Sequence, residues 1–151
     1  MLATLTALVV GMMALAGVAW AAEGAPTVVR TVPDDGATGV NPTANIKAKF
    51  SEAMKERSIN TNTFYLLRSS CPSAPVEAAT VRYNADTKTA ILDPTNASLA
   101  VNSEYTAVVE GTGDGDMKAV KDRGGTPLAT DYIFSFTTGS NSGGGGDVPC
   151  L

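Results

Sequence analysis

The sequence predicts an all-β sandwich of about seven strands, and three observations indicate this. Apolar runs of five to seven residues recur from residue 23 onward, with Pro, Gly, Asn and Asp between them. No stretch carries an amphipathic helical period of useful length. About 110 residues remain once the two ends of the chain are set aside, which is the size of one sandwich domain.

The ends of the chain differ in composition from this middle part. Residues 1–21 are uncharged and apolar and end in Ala-Trp-Ala, so we interpret them as a secretory signal peptide. Because no Lys or Arg precedes the apolar run, an uncleaved membrane anchor is the alternative. The sandwich is expected over residues 25–139, and residues 140–151 form a Gly/Ser-rich tail typical of a flexible linker. The chain is therefore expected to be secreted, with no membrane attachment after cleavage.

The strands follow from the apolar alternation. A first strand over residues 27–31 ends at the turn Pro33-Asp34-Asp35-Gly36, where Pro fixes φ and Gly accepts a positive φ. In residues 46–50 every second side chain is apolar and the two between are lysines, the pattern of a half-buried strand. Residues 52–59 have room for one helical turn. The remaining predicted strands are 64–67, 80–83, 90–92, 105–109 and 133–136, with residues 84–88 as a hairpin loop.

The inward-facing positions of these strands define the predicted core. Because successive side chains of a strand point to opposite faces, the apolar positions are expected to lie in the interior while their neighbours face solvent. The predicted core residues are Ile46, Phe50, Leu92, Tyr105, Val109, Phe134 and Phe136.

Several segments resemble, in order and spacing, the motifs of the bacterial Ig-like domain of the SbsA-like family of S-layer and surface proteins. Residues 33–40 resemble its P-x-x-G-A-x-G-V opening, and residues 50–54 its F-S-E-x-M turn. Residues 120–128 resemble its V-K-D-x-x-G-N-x-L loop, and residues 132–138, YIFSFTT, its closing strand. The resemblance covers residues 25–139 and implies an Ig-like Greek-key β-sandwich with a structural role.

The sequence departs from the family pattern at two places. Residues 69–75, SSCPSAP, introduce a Cys into what is usually a plain turn. Residues 113–117, GDGDM, lengthen the loop before the last strand.

Composition argues against several classes of function. The chain has no His, so the Ser-His-Asp and Cys-His arrangements and His-containing zinc sites are excluded. The same lack, together with the lack of Met clusters, argues against a copper carrier on a similar sandwich. The net charge is −4 and the eleven basic residues are scattered along the sequence, which argues against nucleic-acid binding. With the only Trp in the leader and Glu52, Glu110, Asp114 and Asp116 in turns or loops, we expect no enzyme.

Two sets of residues are candidates for binding or cross-linking. Asp114, Asp116 and Asp122 lie in one loop and are the only candidates for calcium, but three lysine and arginine residues share that loop. A solvated acidic loop is therefore the favoured interpretation, and no cofactor is expected. Cys71 and Cys150 are the only cysteines, so a disulfide between them is predicted for an exported chain. A bond from Cys150 to a second chain is the alternative.

Tyr105 has an expected structural role. A Tyr that opens a strand after a corner can turn its hydroxyl back to the main chain, the tyrosine corner of Greek-key sandwiches. A half-exposed strand aromatic is the alternative.

We therefore expect a non-enzymatic, secreted Ig-like module with a structural or adhesive role at the cell surface or in an extracellular assembly. Edge strands are the expected contact sites for protein partners or for self-association, because their main-chain groups are unpaired. One alternative is a self-assembling fibre subunit in which residues 22–32 pair with the next protomer. The other is a carbohydrate- or ligand-binding accessory module, for which the sequence offers few aromatic residues.

Overall fold

The residues that the structure describes form nine β-strands. The computed structural model describes residues 24–75, 79–94, 99–112 and 118–140. One short 3-10 helix, Glu56–Ser58, follows the third strand. No helix among these residues is long and apolar enough to cross a membrane. The strands are β1 (Val28–Val32), β2 (Ala37–Val40), β3 (Ile46–Phe50), β4 (Phe64–Arg68), β5 (Cys71–Pro75), β6 (Thr80–Asn84), β7 (Thr89–Asp93), β8 (Glu104–Val109) and β9 (Tyr132–Thr138).

The strands form two sheets. One sheet has four strands in the order β1-β3-β7-β6, and the other has five in the order β2-β9-β8-β4-β5. All neighbouring strands are antiparallel except β2 and β9, which are parallel. The first four strands alternate between the two sheets, and β6 and β8 each begin a further change of sheet. The chain therefore crosses between the sheets several times, as it does in Greek-key sandwiches. The expected all-β sandwich is thereby confirmed.

The interior between the sheets contains the residues that the alternation predicted. All seven predicted core side chains are at most 3% exposed. In β3, three apolar side chains are buried and the two lysines between them are exposed, as expected. The loops add further buried side chains to this core: Met54, Ile59, Leu99, Val120 and Leu128.

The predicted turns are present where the sequence placed them. Gly36 has a φ of 75°, which an L residue rarely adopts, and the Ala37 N–H donates to the Asp34 carbonyl at 3.1 Å. The hairpin between β6 and β7 has an unbroken register of five residue pairs. The expected helical turn after β3 is the 3-10 helix Glu56–Ser58.

The predicted number of strands was wrong by two, because β2 and β5 were not foreseen. β2 is a four-residue strand with a glycine and makes only two register pairs with β9, so its sequence carries little strand propensity. β5 lies in the SSCPSAP segment, which was expected to be a loop. It is an edge strand, where the missing N–H of Pro72 and Pro75 is tolerated. The first strand is also one residue later than predicted.

Candidate functional site

The residues proposed for calcium are only partly described by the structure. Asp114 and Asp116 lie outside the described residues, so the set of three cannot be assembled. Asp122 is 6% exposed, and one of its carboxylate oxygens accepts the Thr126 N–H at 2.7 Å. The Asp122 N–H donates to the Thr126 carbonyl at 2.9 Å. Asp122 thus closes the turn that follows it, and no cluster of three possible metal ligands occurs in the described parts of the chain.

The two cysteines cannot be compared in space. Cys71 opens the edge strand β5, whereas Cys150 lies outside the described residues. The pairing of Cys71 with Cys150 remains a prediction.

Tyr105 joins its strand to the corner that precedes it. The Ala100 N–H donates to the Tyr105 hydroxyl oxygen at 2.8 Å, and both residues are buried. The ring of Tyr105 stacks on Phe136 with 5.9 Å between the ring centroids. Thr138 completes the corner, since its hydroxyl donates to the Ala100 carbonyl at 2.6 Å. This is the geometry of a tyrosine corner.

Replacing Tyr105 by Phe should therefore destabilise the domain. The substitution keeps the stacked ring but leaves the buried Ala100 N–H without its acceptor, which costs about 1–3 kcal/mol. Urea denaturation of the variant beside the parent measures this loss. The matched control is Tyr132→Phe, because Tyr132 lies on the neighbouring strand and is only half-buried. Equal stability of Tyr105→Phe and the parent would contradict the structural role.

A second tyrosine connects β4 to the loop that follows β8. The Tyr65 hydroxyl donates to Glu110 Oε1 at 2.6 Å. Burial raises the pKa of Tyr65 well above its usual value, and the hydrogen bond to Glu110 adds to the effect. Tyr65 therefore stays protonated at physiological pH and acts as a fixed donor that holds the loop. Gly111 follows Glu110 in the chain, and its N–H donates to Asp131 Oδ1 at 2.7 Å.

One surface concavity combines several cationic side chains. It has a volume of about 350 Å³ and lies at the end of the sandwich where β3 leads to β4 and β8 leads to β9. Four of the eleven basic residues of the chain line it, and none of its described lining residues is acidic. The lining residues are Lys55, Arg57, Ser58, Asn60, Asn62, Thr63, Lys118, Ala119 and Lys121. We call this surface the basic concavity.

The basic concavity has two walls, residues 55–63 and residues 118–121, and hydrogen bonds hold them together. The Lys55 N–H donates to the Lys121 carbonyl at 2.8 Å, and the Lys121 N–H donates to Ser58 Oγ at 3.0 Å. Met54 and Asp122 form an isolated β-bridge beside them. The Met54 N–H also donates to the Tyr83 hydroxyl at 2.8 Å, which connects the start of the wall of residues 55–63 to β6. The cationic residues therefore stand on main chain that is fixed before any ligand arrives.

The wall formed by residues 55–63 is also ordered by hydrogen bonds within it. Thr63 Oγ1 donates to the Ser58 carbonyl at 2.7 Å and accepts the Asn60 N–H at 3.0 Å. The Glu110 N–H donates to the Thr63 carbonyl at 2.9 Å, so the wall continues into the end of β8. A loop with this many internal bonds needs little ordering when a ligand binds.

The sequence did not predict this concavity, because the four basic residues that line it are scattered along the chain. They come from two segments about 60 residues apart, and only the pairing of those segments brings them together. The signal that was present is the resemblance of both segments to family motifs, F-S-E-x-M and V-K-D. Their adjacency could not be read from spacing along the chain.

Nine strands in two facing sheets, crossed in Greek-key order and held at one corner by a buried tyrosine, define an Ig-like sandwich. The chain belongs to the bacterial Ig-like domain family, whose sequence model matches residues 22–138. This match spans both sheets and both walls of the basic concavity. The resemblance seen in the sequence motifs is thus confirmed.

Solved structures that share the fold include an S-layer protein and CopC. The S-layer protein rSbsC(31-844) is 16% identical with a TM-score of 0.52, and the likeness covers 76% of this chain. It covers only 14% of the S-layer protein, so this chain corresponds to a small part of that molecule. CopC from Methylosinus trichosporium OB3b is 16% identical with a TM-score of 0.56, and the likeness covers 76% of this chain and 93% of CopC. No curated protein matches the chain significantly.

Proposed function

We propose that this protein is a non-enzymatic, secreted Ig-like module with a structural or adhesive role at the cell surface or in an extracellular assembly. The observation that carries the proposal is its membership of the bacterial Ig-like family over the whole sandwich. The likeness to part of an S-layer protein supports it, since the same fold serves there as one piece of a much larger molecule. The apolar leader composition of residues 1–21 supports export.

The packing of the sandwich fits a module that presents its surface to partners. Its interior is filled by apolar side chains from both sheets, and the loop side chains extend that packing. The features left for recognition are therefore the sheet edges and the loop ends.

The four sheet edges differ in how open they are to another strand. In β1, Val28 pairs with Phe50 and Arg30 pairs with Lys49, so Val29 has no partner in β3 and forms a bulge. β2 and β5 also pair irregularly, and β5 contains two prolines. β6 is five residues long, with no proline and an unbroken register to β7. Bulges and prolines protect edges against strand addition, so β6 is the edge best suited to accept a partner strand.

The regular, proline-free edge at β6 favours a fibre formed by strand addition to β6 over a fibre formed by donation of residues 22–32. In the form in which residues 22–32 are donated to the next protomer, β1 would have to leave β3 of its own chain. Addition of a strand to β6 requires no such exchange. Size-exclusion chromatography of the mature chain at several concentrations tests self-assembly, and a monomer throughout the range would contradict both forms.

The location of the protein tests the main proposal. In the bacterium that makes the chain, an antiserum against it should detect the protein in the medium or the cell envelope. External protease on intact cells should degrade the envelope-bound protein and leave a cytoplasmic marker protein whole. A chain that is protected from the protease and fractionates with that marker would overturn the proposal.

A further inference from the structure

We propose that the basic concavity binds the acidic groups of a polysaccharide, which would make it the adhesive site of the module. The inference goes beyond the proposed function by naming the ligand chemistry, and it relies on that function only for the ligand being extracellular. The starting observation is the convergence of Lys55, Arg57 and Lys121 on one concavity that has no acidic residue among its described lining residues.

The net negative charge of the whole chain contrasts with the positive charge of the basic concavity. The protein carries a net charge of −4, so a long polyanion is repelled by most of its surface. The basic concavity reverses that sign locally, and walls of low dielectric constant strengthen the field within it. This combination favours discrete acidic groups that reach into the concavity over a duplex nucleic acid, which needs an extended basic face.

The polarity of the lining indicates what carries the acidic groups. Among the described lining residues Ala119 alone has an apolar side chain, and the other neutral residues bear hydroxyl or amide groups. A peptide or a lipid tail would find little apolar surface to cover. A sugar presents hydroxyl groups, and the exposed Asn62 can both donate to and accept from them.

The same lining indicates that the sugar must be charged. No aromatic side chain lines the basic concavity, so stacking on a sugar ring is not offered by the described residues. Affinity must therefore come from charge-assisted hydrogen bonds. Arg57 can engage a carboxylate, sulfate or phosphate group in a bidentate manner, and Lys55 and Lys121 add point charges beside it. A volume of about 350 Å³ is at the lower end of the range of small-ligand sites and suits one or two sugar units.

The experiment measures binding of defined oligosaccharides to the full mature chain by titration calorimetry. The probes are an oligogalacturonate, a sulfated oligosaccharide and an uncharged malto-oligosaccharide of equal length. We expect saturable binding of at least one acidic probe, none of the uncharged probe, and a more than tenfold loss of affinity between 50 mM and 500 mM salt. Absence of binding by both acidic probes at low salt would overturn the proposal.

A matched pair of double variants locates the site. Lys55→Gln with Arg57→Gln removes two exposed cations from the basic concavity, and affinity should fall at least tenfold. Lys47→Gln with Lys49→Gln removes two exposed cations from the outer face of β3, and affinity should change less than twofold. Equal losses in the two variants would show that only net charge matters, and would overturn the assignment to this site. The single variant Arg57→Gln repeats the test should the double variant have a lower melting temperature than the parent.

Two further probes test the nature of the ligand. An oligoglutamate peptide of equal length and inorganic phosphate both carry negative charge but have no sugar hydroxyl groups. Both should bind at least tenfold more weakly than the acidic oligosaccharide. Equal affinity for the peptide would replace the polysaccharide by an acidic protein, and equal affinity for phosphate would reduce the site to a simple anion site. These results are independent of where the protein is located in the cell, so failure here and failure of the proposed function are distinguishable.

Discussion

Truncation of Phe134 or Phe136 to Ala should lower the free energy of unfolding by about 3–5 kcal/mol, the usual range for a buried aromatic side chain. Both side chains are 1% exposed and point from β9 into the space between the sheets. β9 is the second strand of the five-stranded sheet and pairs with both β2 and β8, so the surrounding main chain has little freedom to collapse into the cavity. Phe136 also loses its stacking on Tyr105.

The control for this prediction lies on the same strand. Ile133 is 60% exposed on the outer face of β9, so Ile133→Ala should change the stability by less than about 0.5 kcal/mol. Urea denaturation followed by circular dichroism measures all three variants. Denaturation midpoints unchanged by both Phe substitutions would show that the register of β9 is wrong.

Replacing Gly111 by Ala should destabilise the domain by about 3 kcal/mol, at the upper end of the effects of overpacking. A Cβ atom built on Gly111 would lie 2.3 Å from the Thr130 carbonyl carbon and 2.4 Å from its oxygen. Both obstructing atoms belong to the main chain, so no side-chain rotation relieves the clash. The displaced segment would also disturb the 2.7 Å hydrogen bond from the Gly111 N–H to Asp131.

Gly24→Ala is the matched control for this substitution. A Cβ at Gly24 meets nothing within 4 Å, and the residue has no positive φ. Its effect should be within about 0.5 kcal/mol of the parent, as for surface substitutions in general. If Gly111→Ala melts at the same temperature as Gly24→Ala, the close approach of residues 111 and 130 is absent in solution.

The strands with clean alternation could be predicted from the sequence because burial on one face leaves a period of two. β3, with apolar residues at alternate positions and lysines between them, is the clearest example. β2 and β5 could not be predicted in this way. Their register is set by the strands beside them, and a glycine in one and prolines in the other weaken the local signal.

The candidate site was harder to predict than the fold for a related reason. Lys55 and Lys121 belong to segments that are separated in the chain and paired by main-chain hydrogen bonds, among them the 2.8 Å bond from the Lys55 N–H to the Lys121 carbonyl. A cluster assembled by such long-range pairing leaves no periodic pattern. Asp122, a weak calcium candidate in the sequence, accepts a hydrogen bond from the Thr126 N–H within its own turn.

If the protein is the adhesive or structural module outside the cell that we propose, it should bind to the cell envelope. Sedimentation of the full mature chain with isolated cell envelopes of the bacterium that makes it measures this binding. We expect the bound fraction to rise and saturate with protein concentration, while an unrelated acidic protein of similar size stays in the supernatant. A chain that remains in the supernatant with that control protein at every concentration would contradict the proposal.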